Sequence, residues 1–69
     1  MTLEQRRKKK KYTQAEFAKE LGISSRQFRK YIKYEVDPPL HIGIKWAELL
    51  GIGIGKFVAL YIIGKEEVK

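Results

Sequence analysis

Apolar residues recur at helical spacing in two stretches of this chain and run almost without interruption in a third. In the first, Phe28 and Ile32 are i,i+4 neighbours with Tyr31 beside them, which makes one apolar stripe on a helix. In the second, Ile42, Trp46, Leu49 and Leu50 repeat at helical spacing with Ala47 on the same side, and Gly51 follows as a stop. The third, Lys56 to Ile63, reads KFVALYII. It is too short and too flanked by lysine to span a bilayer. Its β-branched and aromatic content suits a strand bounded by Gly55 and Gly64 as well as it suits a helix. If it is helical, Val58, Tyr61 and Ile62 cannot all face one small core. An apolar surface left over there would suit a second copy in a two-fold dimer, or another protein partner.

Polar residues mark the ends of two helices between Tyr12 and Lys33. Thr13 with Glu16 fits a capping box, and Tyr12 with Phe17 a hydrophobic staple. Ser24 with Gln27, and Ile23 with Phe28, repeat both signals. Gly22 after Leu21 supplies the stop between them. Arg26, Arg29, Lys30 and Lys33 fall roughly opposite the Phe28–Ile32 stripe, with Ser25 at its border, and no acidic residue interrupts Gly22 to Tyr34. A helix of this kind fits the major groove of B-DNA, where Arg and Lys reach guanine edges and phosphates. Asp37-Pro38-Pro39 breaks the helical pattern beyond it.

Charge strengthens that reading. The 69 residues carry a formal net charge of +7, and the sequence pI is about 9.8; an anionic partner follows. Arg6 to Lys11 are six consecutive basic residues. They suit phosphate contacts by an arm or helix, although like charges at i,i+4 oppose helix formation. No apolar stretch follows them, so the segment does not resemble a signal peptide. The length suits one domain, read as a basic arm or first helix over 1–11, a helix-turn-helix unit over 12–64 (motif 13–33) and a charged tail over 65–69. With 43% apolar residues the chain can form a core. It has no cysteine, which is compatible with a reducing, cytoplasmic compartment. His41 is the single histidine, so no metal site is expected; no cofactor is expected either. The GIGIGK stretch at 51–56 lacks phosphate-loop spacing, with Phe57 where a hydroxyl belongs. Nothing suggests an enzyme.

The run TQAEFAKELGIS, followed by a short amphipathic helix, resembles the helix-turn-helix of the phage-repressor/Cro-like (XRE-type) family. The family pattern is met by Thr13, Gln14, Phe17, Ala18, Leu21, Gly22, Ile23, Ser24 and Phe28. Pro38, Leu40 and the segment from Trp46 to Ile52 continue it, so the likeness covers roughly residues 7–62. The resemblance implies an all-α, five-helix lambda-repressor-like domain, with 56–63 as the fifth helix. It implies that Gln14 anchors the first motif helix to a phosphate, that Ser25, Arg26 and Lys30 reach base edges, and that Arg29 meets phosphate or a flanking base. Two positions depart from the pattern. Ile32 stands where many members have a Glu paired with an arginine such as Arg7, leaving Glu35 as a substitute partner. Tyr34 replaces a glycine.

The expectation is therefore a small transcriptional regulator that binds double-stranded DNA as a homodimer. Base contacts fall to Ser25, Arg26, Arg29 and Lys30; phosphate contacts to Gln14, Lys8, Lys9, Lys10, Lys11 and Lys33; the dimer surface to Val58, Tyr61 and Ile62. The alternatives are an architectural or recombination accessory protein, an antitoxin-like module that holds another protein, and a charge-driven binder of RNA or a membrane surface.

Overall fold

The computed structural model describes residues 2–68, with side chains described through Glu67. Met1 of the basic arm and Lys69 of the charged tail lie outside the described residues. Five helices follow one another: α1 (Leu3–Lys9), α2 (Gln14–Leu21), α3 (Ser25–Ile32), α4 (Leu40–Leu50) and α5 (Ile54–Val68). Among the described residues there is no strand.

Despite its crowded cations, the N-terminal segment is a helix. Thr2 caps it: the Gln5 amide donates to Thr2 Oγ1 and Gln5 Oε1 accepts from the Thr2 amide, a capping box. Leu3 and Arg7 anchor it, both only 5% exposed. Arg7 turns its charge inward, donating through Nε to Glu4 Oε2 and through Nη1 to the Tyr12 carbonyl. Its partner is thus Glu4, one turn earlier, and not Glu35. With Ile32 in the usual acidic position, the nearest carboxylate within reach is on α1 itself.

The core is built on aromatic rings. Trp46 is 1% exposed, and its ring centroid lies 5.1 Å from that of Phe28, 5.2 Å from Phe57 and 6.3 Å from Phe17. Leu3, Ala18, Leu21, Tyr31, Ile42, Ala47 and Leu50 complete it. Burying large rings is what gives so short a chain a stable interior. α4 ends at Gly51, whose φ is 70°, and α5 leaves at 104° to it.

The 56–63 segment is helical, which removes the strand alternative. The reason lies in which residues point inward: Phe57 is buried, and Leu60, Tyr61 and Gly64 are half-buried, a spacing of three and four. A strand would have put Phe57, Ala59, Tyr61 and Ile63 on one face, yet Ala59 and Ile63 are exposed. Gly43 admits the Phe57 ring, since a Cβ there would lie 3.3 Å from it. The helix also continues into the segment read as a charged tail, as far as Val68.

Candidate nucleic-acid interface

Local chemistry builds the two-helix unit. The Glu16 amide donates to Thr13 Oγ1 at 3.1 Å, and the Thr13 amide donates to Glu16 Oε1 at 3.0 Å, closing the capping box of α2. These bonds hold the Glu16 carboxyl below the usual carboxylate range, the Thr13 backbone N–H contributing most. The Tyr12 and Phe17 rings meet edge to face at 5.3 Å, the expected staple. Gly22 then takes φ 78°, and the Ile23 amide reaches back to the Ala18 carbonyl at 3.0 Å. At α3 the box is only half made. The Gln27 amide donates to Ser24 Oγ at 3.1 Å, but the Gln27 side chain does not return a bond to Ser24.

α3 is divided cleanly. Phe28 and Tyr31 are buried and Ile32 is half-buried, while Arg26, Arg29 and Lys33 are exposed and Ser25 and Lys30 border them. Arg26, Arg29, Lys30 and Lys33 surround one shallow depression, with Glu35 at its edge. Among the described residues none of these four cations is in a salt bridge. Their charge therefore faces solvent without a fixed counter-ion. Gln14, first residue of α2, is half-buried.

The basic N-terminal run is split by the fold. Lys8, Lys9, Lys10 and Lys11 are exposed, whereas Arg7 belongs to the interior. Arg6, Lys9 and Lys10 line a second basic concavity with Leu50. Lys10 Nζ lies 3.4 Å from where a Cβ of Gly51 would be, beside the carbonyl end of α4, where a cation is favoured. Lys11 itself has φ 66°, a left-handed turn between α1 and α2.

A clamp on the far end of α3 has no counterpart in the sequence reading. Tyr34, in the glycine position, adopts φ 61°. Its ring packs at 5.1 Å on that of Tyr61, and a Cβ on Gly64 would come within 2.1 Å of Tyr34 Oη. Tyr61 Oη donates to Asp37 Oδ1 at 3.0 Å, and Lys65 Nζ donates to the same oxygen at 3.0 Å. Lys65 first and Tyr61 second hold the Asp37 carboxyl below its usual range; burial, with Asp37 next, pushes the Tyr61 hydroxyl up. α5 thereby grips the loop that leaves α3. Tyr61, expected on the outer surface, is engaged in this clamp, while Val58 and Ile62 are exposed at 44% and 50%. The Thr2–Gln5 spacing was a readable signal for α1; contacts 24 to 28 residues apart were not.

No single helix among the described residues is long and apolar enough to cross a membrane, and no group of His, Cys, Asp or Glu among them could hold a metal ion. Comparison with curated proteins and with solved structures gave no match. A helix-turn-helix family model matches residues 3–57, from the first residue of α1 to the ring that α5 places in the core. With the capped α2–turn–α3 unit inside that span, the chain belongs to the XRE-type, Cro-like helix-turn-helix family of DNA-binding domains.

Proposed function

We propose that the protein is a small transcriptional regulator that reads double-stranded DNA with α3 in the major groove and binds as a homodimer. The observation that carries this reading is the row of unpaired cations on the solvent face of α3, held by a helix whose opposite face is locked into the core. Ser25, Arg26, Arg29 and Lys30 contact bases. Gln14, Lys33 and Lys8 to Lys11 contact phosphates, which supplies most of the affinity and makes it salt-dependent. Ile54, Val58 and Ile62 form an outward apolar stripe on α5, each at least 42% exposed, and a second copy covers it. Two recognition helices then enter major grooves about 34 Å apart.

Selection of bound sequences from random double-stranded DNA at physiological salt tests this. The expected result is a two-fold repeat with half-site centres about one helical turn apart. A lone half-site removes the dimer. No enrichment, with binding only at low salt, removes the regulator and leaves the architectural or protein-partner readings.

A further inference from the structure

Between α1, the inner face of α3 and the C-terminal half of α5 lies a cavity of about 230 Å³. The basic row of α3 faces away from it. Tyr31, Tyr34, Trp46 and Tyr61 contribute aromatic walls, and Glu4 and Glu67 contribute carboxylates. In a chain of net charge +7, no Lys, Arg or His among the described residues lines this cavity. Glu4 gives Oε2 to Arg7, and its Oε1 is buried with no hydrogen-bond partner among the described residues. Trp46 Nε1 is buried and unpartnered as well. Burial and the charges of Glu4 and Glu67 together raise the Tyr34 hydroxyl above its usual range, so both carboxylates act on the same ring.

Aromatic faces and carboxylates both attract positive charge. We propose that this cavity is a binding site for a small organic cation, a protonated amine on a flat apolar body. The ammonium lies against the Glu67 carboxylate with the Glu4 charge close by, and the body lies among the tyrosine rings. An anion of the same shape meets two carboxylates, and a neutral analogue loses the charge-assisted bond. The site does not depend on the DNA reading, since α3 offers it a different face.

The test titrates the protein, without DNA and at neutral pH, with phenethylamine, 2-phenylethanol and 3-phenylpropanoate. The indole N–H resonance of Trp46, the only tryptophan, reports binding. The expected result is a saturable shift with the amine, affinity about tenfold weaker for the alcohol, and no saturation with the acid. Glu67→Gln, at an exposed position that does not support the fold, removes the preference for amine over alcohol. Glu4→Gln reduces it, and Glu20→Gln on α2 leaves it unchanged. Equal binding of the three probes, no saturable shift with the amine, or an unaltered preference in Glu67→Gln overturns the proposal.

Discussion

Arg7 and Lys8 are neighbours in a run of identical charge, yet the fold gives them opposite tasks. Arg7 is buried, with Glu4 and the Tyr12 carbonyl as its partners. Removing it strands a partly buried carboxylate, and leaving one member of such a pair alone costs about 3 kcal/mol. Arg7→Ala is therefore expected to lower the unfolding free energy by about that much in urea titration. Lys8→Ala should leave stability within about 0.5 kcal/mol. It should instead reduce the slope of log affinity for DNA against log salt by about 1. Periodicity alone did not separate these two residues: six basic side chains in a row carry no polarity of their own. What separates them is that position 7 falls one turn after Leu3, on the face that the core claims. Tyr34 was legible only as a departure from a glycine pattern. The structure shows that the chain keeps the left-handed backbone there with a tyrosine, whose ring is held by Tyr61.

Among the elements, those fixed by short-range chemistry were the readable ones. The caps of α2, the Gly22 turn and the amphipathic α3 depend on residues three or four apart, and each stands where the spacing puts it. Thr13→Ala should cost about 1 kcal/mol of stability in chemical denaturation, because one amide of the first turn loses its acceptor. α5 was ambiguous for a physical reason: it is apolar on nearly every side, so neither a period of two nor of 3.6 stands out. Its inner stripe becomes visible only once Phe57 and Gly64 have partners. Gly64→Ala would drive a methyl group into the Tyr34 hydroxyl and should destabilise by about 1–3 kcal/mol. In the Tyr34→Phe background the same change should cost less, a coupling that a double-mutant cycle measures.

At the scale of the whole molecule, two exposed carboxylates tie distant parts together or start a helix, and both are held below their ordinary range: Asp37 by Lys65 and Tyr61, Glu16 by Thr13. For a depressed carboxylate the added stability is complete above the unfolded value, near pH 4, and is lost as pH falls through the lower folded value. Unfolding midpoints should thus fall on acidification from about pH 5 to pH 2. Asp37→Asn should flatten part of that fall while lowering stability at neutral pH. The Asp37–Lys65 pair spans 28 residues, and nothing in either local sequence pointed to the other. Caps, period and stops made α2, α3 and α4 legible, and the likeness to the family supplied α1 and α5, whereas the clamp between α5 and the loop after α3 depends on packing alone.

The central claim is that α3 reads base edges while the rest of the basic surface supplies affinity. The most direct measurement compares wild type and Arg26→Ala on a selected duplex and on a scrambled one, at several salt concentrations. The account predicts a loss of about 1–3 kcal/mol on the selected duplex, with nearly unchanged affinity for the scrambled one. Equal losses on both duplexes would contradict it, reducing Arg26 to a phosphate contact and leaving α3 without its assigned role as the reader.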